Sequence, residues 1–106
     1  MRGLAVAGIA VVLWLTTPAQ AQVVFTGNTF LDYCSAREDS LSAGLCLGYI
    51  QGVLESSTST CIIPGVTFGQ LKDVVVRFLR TNPQNRHNQA SLLVEEAIQE
   101  AWPCPR

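Results

Sequence analysis

Charged side chains are scarce in this 106-residue chain, 14% of the total, and neither sign dominates: seven Lys and Arg stand against eight Asp and Glu. No basic stripe is present to follow a nucleic-acid backbone or an anionic lipid surface. No acidic block is present to buffer cations. There is one histidine, His87, and no Cys-x-x-Cys pair. Structural zinc sites usually show a close ligand pair, so zinc is not expected. Gly65-x-x-x-Gly69 lacks the lysine and hydroxyl residue that complete a phosphate loop. Neither Asp32 with Glu38 nor Glu95 with Glu96 reads as a facing carboxylate pair. A catalytic nucleophile needs a base beside it. His87, in Asn85-Arg86-His87-Asn88, reads as a boundary residue bonding to a neighbouring helix. No enzyme and no cofactor are expected.

What the chain does have begins at its first residues. Arg2 precedes an apolar run, Leu4 to Leu15, which is followed by Thr16-Thr17-Pro18 and Ala19-Gln20-Ala21. This is the pattern of a secretory signal peptide over 1–21, cut after Ala21. An uncleaved anchor is the alternative, but the apolar run falls short of the roughly twenty residues a spanning helix needs. No lipobox cysteine follows the run. The expected organisation is a signal peptide over 1–21, a flexible leader over 22–27 and a single helical domain over 28–104. The protein is expected in the periplasm, with no membrane association after cleavage. Losing Arg2 leaves six basic against eight acidic residues, a net charge near −2. Residues 22–106 suffice for one small domain that gains from covalent staples.

The apolar spacing predicts an all-α fold, a small disulfide-braced bundle of about four helices. Thr26-Gly27-Asn28 offers a cap to a brief first helix carrying Phe30, Leu31 and Cys34 and ending near Arg37. A second helix starts near Ser40 or Ser42, with Leu45, Cys46, Tyr49, Ile50 and Val53 as its buried stripe. Gly48 and Gly52 share a face of that helix. Each weakens it by roughly 1 kcal/mol relative to alanine, so close approach of a neighbouring helix is expected there, with a binding groove as the alternative. Glu55 to Val66 is the main non-helical stretch, turning at Pro64-Gly65. Ile62-Ile63 reads either as core or as an exposed recognition tip. In a third helix Thr67 and Gln70 form a capping box, and Leu71, Val74, Val75, Phe78 and Leu79 are the buried stripe. A fourth helix is expected to open at Asn82-Pro83, to bury Ala90, Leu93, Val94, Ala97, Ile98 and Ala101, and to stop at Pro103.

The four cysteines, Cys34, Cys46, Cys61 and Cys104, all follow the export segment, and an even count in an exported chain reads as two disulfides. Short connections make neighbouring helices antiparallel. The start of helix three then lies near the end of helix four, which favours Cys61–Cys104 and leaves Cys34–Cys46. Pairing Cys46 with Cys61 is disfavoured, because about ten helical residues separate the ends by roughly 15 Å.

Three ordered blocks resemble a known family. Cys46-Leu47-Gly48-Tyr49-Ile50-Gln51-Gly52-Val53 is similar to its Cys-x-Gly-Tyr-Ile-x-Gly-Val signature. Cys61-Ile62-Ile63-Pro64-Gly65-Val66-Thr67 with Gln70 is a close variant of its second block. Asn82-Pro83, Arg86-His87, Ala90 and Ala101-Trp102-Pro103-Cys104 resemble its closing block. The family is that of the Rap/Tai-type immunity proteins of type VI secretion, and the likeness covers roughly residues 28–104. It implies a small helical periplasmic domain that binds a toxic effector, typically a peptidoglycan amidase, and obstructs its active site.

Toxin contacts are not carried by those blocks, which hold cysteines, glycines and caps. The preferred contact surface is the polar loop with Ser57, Thr58, Ser59, Ile62 and Ile63, tied down at Cys61, because pre-ordering lowers the entropy lost on binding. Arg86 and His87 are the second choice. The expected partner is a secreted amidase effector or another periplasmic protein, with no nucleic acid, and a homodimer is left open. The rival readings are an acid-stress chaperone and an accessory domain with an unknown protein partner.

Overall fold

The first turn of the first helix shows how the bundle is gathered. The structure, a computed structural model, describes residues 25–106. The expected signal peptide and the leader valines Val23-Val24 lie outside the described residues. Helix α1 (Gly27–Cys34) begins with amide groups that have no partner inside the helix. Thr26 accepts one of them, from the Thr29 amide, on its hydroxyl. The Gly27 and Asn28 amides donate to the carbonyls of Asn88 (3.0 Å) and Arg86 (2.9 Å), and the Ala90 amide donates back to Phe25 (2.7 Å). Chain entry and the segment before the last helix are thereby laced together by backbone alone.

That lacing is close enough that a side chain on Gly27 would have to displace its neighbours. Gly27 is buried, and a Cβ there would lie 2.5 Å from Leu93 Cδ1, 3.0 Å from the Arg86 carbonyl oxygen and 3.2 Å from Leu79 Cδ2. Beside it, the ring of Phe25 meets Phe30, Tyr33 and Tyr49 at centroid distances of 5.9, 5.6 and 4.9 Å. Such aromatic contacts add to simple burial.

Helix α2 (Leu41–Ser56) is capped by Ser40, which accepts the Ala43 amide at 3.1 Å. Helix α3 (Phe68–Thr81) opens on the expected capping box: Thr67 Oγ1 accepts the Gln70 amide at 3.1 Å and Gln70 Oε1 accepts the Thr67 amide at 2.9 Å. A 3₁₀ turn (Pro83–Asn85) leads to helix α4 (Ala90–Ala101). Every helix contributes to one core: Phe30 from α1, Cys46 and Ile50 from α2, Val75 and Leu79 from α3, Val94 and Ile98 from α4. Among the described residues no polar or charged side chain is fully buried and there is no sheet, only a single bridge between Thr26 and Gln89. The fold is all-α with four helices and two disulfides.

The disulfides are Cys34–Cys46 and Cys61–Cys104, each spanning 5.0 Å between Cα atoms. Leu79 and Leu93 converge on Gly27, while Cys104 after α4 returns to Cys61 before α3. The last two helices therefore run in broadly opposite directions, as the pairing argument requires.

Several sequence expectations are corrected. Helix α4 does not open at Asn82-Pro83. Asn82 Nδ2 donates to the Phe78 carbonyl at 2.9 Å, so this side chain closes α3 instead of capping α4. Residues 86–88 are then held out of a helix by their bonds to α1, and α4 starts only at Ala90. The second correction concerns the outer face of α2. Its buried stripe is Ala43, Cys46, Ile50 and Val53, whereas Leu45 is 51% exposed and Tyr49 is half-buried. No atom lies within 4 Å of where a Cβ would stand on Gly44, Gly48 or Gly52, so no helix approaches there. Gly48 is two residues from both Cys46 and Ile50. Two residues turn an α-helix by about 200°, which points Gly48 away from the side that the Cys34 bridge pins inward. Ala101, expected on the buried stripe of α4, is exposed as the helix runs out of partners.

Candidate protein-binding surface

The long connection from α2 to α3 is ordered by several independent ties, which is unusual for a stretch as polar as Ser56 to Thr60. Within it, the Ser59 amide donates to Ser57 Oγ at 3.3 Å, and the two hydroxyls lie 3.2 Å apart. Gln99 on α4 reaches across the molecule and donates from Nε2 to Ser59 Oγ at 2.8 Å. Cys61 is bonded covalently to Cys104. Gly65 then takes φ = 92°, a conformation that favours glycine, and turns the chain into the Thr67 cap.

These ties divide the two isoleucines. Ile62 packs half-buried against the core, whereas Ile63 is 59% exposed. Ile62 therefore leans on the core and Ile63 faces solvent. Phe68, the first residue of α3, is 52% exposed beside them. Gln51, Leu54, Glu55, Thr60, Ile62 and Phe68 line a shallow groove between the end of α2, the loop and the start of α3. Gln51 and Glu55 are bonded to each other at 3.1 Å on its edge. The surface is thus a small apolar centre with a polar margin, on a backbone held from both sides. Such a margin around apolar anchors is the usual anatomy of a protein interface.

Sequence reasoning missed Phe68. Its spacing of three from Leu71 puts it in line with the buried stripe, but it stands at the first turn of α3 and is left half uncovered. A large aromatic directly after an N-cap was the available signal.

The second candidate segment lies elsewhere. Arg86 and His87 follow the end of α3, whereas the Ser57–Ile63 loop precedes its start. Fourteen residues of helix separate the two by about 20 Å. Ser57, Thr58, Ser59, Ile62 and Ile63 are brought together; Arg86 and His87 do not join them. Arg86 is half-buried, its carbonyl holds the Asn28 amide, and its Nε is enclosed with no protein partner. It is an architectural residue more than a free donor. His87 is exposed.

A third surface lies on α2. Phe25, Tyr33, Gly44, Leu45, Gly48 and Tyr49 line an apolar groove on the outer side of α2. It realises for Gly48 the groove that was the alternative to close helix packing. Leu41, 81% exposed, continues it toward the start of the helix.

Among the described residues, no group of three or more His, Cys, Asp or Glu is placed to hold a metal ion. The ion pair found there, Arg37 with Asp39 at 3.2 Å, is fully at the surface. All four cysteines are bonded in pairs.

Comparison with known proteins agrees with this picture of a scaffold that presents surfaces. No curated protein and no solved structure matched the chain. A family model for the Rap1a immunity proteins matches residues 26–104, from the cap of α1 to the last cysteine, and so takes in all four helices and both disulfides. The chain belongs to the Rap1a immunity protein family.

Proposed function

We propose that this protein is a periplasmic immunity protein that binds a peptidoglycan amidase toxin delivered by type VI secretion and blocks its active site. The family match over residues 26–104 carries the reading. The braced surface around Ile63 and Phe68 supplies a physical means. Binding requires that loops be ordered, and every side chain that is already ordered lowers the entropy lost on association. Here the disulfide and the Gln99 bond do that ordering before any partner arrives. Ile63 and Phe68 are the apolar anchors, and Ser57, Thr58, Ser59 and Gln51 are the polar margin. Seated across the mouth of the amidase cleft, this surface excludes the peptidoglycan strand without contributing a reactive group. The export signal read over residues 1–21 would bring the protein to the compartment where that toxin acts.

The test is a pull-down with the tagged, oxidised protein against a panel of secreted peptidoglycan amidases, with hydrolysis measured in its presence and absence. The expected result is a stoichiometric complex in which hydrolysis is lost. Free amidases with unchanged activity across the panel would overturn the reading. The surface itself is tested by combining Ile63→Ser with Phe68→Ser. Both residues are more than half exposed, so stability should change by no more than about 0.5 kcal/mol each. The Kd should rise at least about tenfold, a change of roughly 1.4 kcal/mol in binding free energy. Unaltered affinity in the folded double variant would exclude this surface.

A further inference from the structure

The two disulfides differ in what surrounds them. Cys34 and Cys46 are 4% and 0% exposed and belong to the core cluster. Cys61 is only half-buried, Cys104 is exposed, and neither is a member of that cluster. Cys104 lies beyond the end of α4 in a segment without regular structure. A thiolate must reach a sulfur to exchange with it, so access decides which bridge reacts. The core bridge is shielded on all sides, and the loop bridge is open.

The consequences of opening the loop bridge are also local. Helix α3 and helix α4 meet through Leu71, Val75, Leu79, Leu93, Val94 and Ile98, none of which needs Cys61 or Cys104 in place. The loop would keep the Gln99–Ser59 bond and the partial burial of Ile62 and Val66. Cys104 Sγ also lies 3.4 Å from the Ser59 carbonyl oxygen, a contact that joins its segment to the loop only while that segment is held near.

We propose that Cys61–Cys104 is a thiol-addressable clasp, opened by an external dithiol while Cys34–Cys46 and the helical core stay closed, so that redox state sets the order of the Ser57–Ile63 surface. The thiolate of the dithiol attacks Cys104 Sγ and forms a mixed disulfide. The Cys61–Cys104 bond breaks, and its electron pair leaves on Cys61 Sγ, which takes up a proton. The second thiol of the reductant then displaces Cys104, which also leaves as a thiol after protonation. The reductant ends as a disulfide, having supplied two electrons. As a control on toxin binding, this device rests on the function proposed above; as a property of the molecule, it does not.

The experiment exposes the oxidised protein to graded dithiothreitol without denaturant, alkylates free thiols, and assigns them by peptide mass mapping while circular dichroism follows the helices. Cys61 and Cys104 should be labelled at least ten times faster than Cys34 and Cys46, with helicity unchanged. Simultaneous labelling of all four, earlier labelling of the core pair, or loss of helicity as Cys61 and Cys104 react would each overturn the proposal. A Cys61→Ser, Cys104→Ser variant gives a second reading by hydrogen exchange. Amides of residues 57–66 should exchange at least ten times faster than in the oxidised protein, while those of α2 and α4 keep their protection. Unchanged exchange in the loop, or failure of the variant to fold, would also refute the clasp. None of these readouts uses an amidase, so the clasp and the immunity reading fail separately. If the oxidised protein inhibits a toxin, the same variant should inhibit it at least ten times less well.

Discussion

The two ends of the bundle are held by different means. At the end where α1 enters, Gly27, Asn28 and Ala90 share three backbone hydrogen bonds with Asn88, Arg86 and Phe25, closed over a buried glycine and flanked by a packed aromatic group. At the other end, the Ser57–Thr67 segment is held by one open disulfide, one side chain from α4 and a capping box. The first end closes its backbone groups on one another around Gly27. The second leaves Ile63 and Phe68 uncovered on an ordered backbone. Interlocked backbone makes a corner in which added volume is costly, whereas ties through side chains fix a loop and still leave its surface available. A binding protein needs both, since a partner can be met only by groups that the fold has not already used.

That contrast can be broken most severely at Gly27. Gly27→Ala places a methyl group against Leu93, Leu79 and the Arg86 carbonyl, and overpacking of this kind destabilises by about 1–3 kcal/mol. Urea denaturation should show a lower midpoint with an unchanged slope, and a variant as stable as the parent would mean that the corner is not rigid. At the loop end, Thr67→Ala removes one half of the capping box and should lower stability by about 1 kcal/mol. Thermal melting checks this, and a loss no larger than a few tenths would show that the loop ties alone fix the start of α3. The smallest effect has the opposite sign. Gly48→Ala meets open space on a helix and should stabilise by roughly 0.5–1 kcal/mol through reduced freedom of the unfolded chain. A destabilised Gly48→Ala variant would mean that the outer face of α2 is covered in solution.

Reading the residues alone succeeds where local chemistry decides. The capping box at Thr67 and Gln70 and, Val74 apart, the buried stripe of α3 are properties of a few neighbouring residues, and the structure has them in place; of the caps offered at Thr26-Gly27-Asn28 and at Ser40 or Ser42, it uses Thr26 and Ser40. The reading fails where two distant segments compete for the same group. Asn82-Pro83 has the form of a helix start, yet Asn82 is drawn to the end of α3 and residues 86–88 are drawn to α1. Gly48 and Gly52 have the spacing of a close helix contact, yet the true close approach is at Gly27, where the sequence shows only a cap. The site follows the same pattern. The loop with Ser57, Ser59 and Ile63 was visible as the longest polar break between helices and the groove at Gly48 was open as an alternative, but Phe68 was not visible, because a helical stripe does not say how much of it is covered.

By itself, the sequence determined the four helices, the helical class and the bridging of its cysteines, since helical periodicity, N-cap hydrogen bonds and the reach of a disulfide act over a few residues or a single helix length. Only the tertiary structure decided which glycine is closely packed, which apolar side chains stay uncovered and which disulfide faces solvent. Those depend on which surfaces meet, and a helix carries the same residues on its face whether or not another helix arrives to cover them.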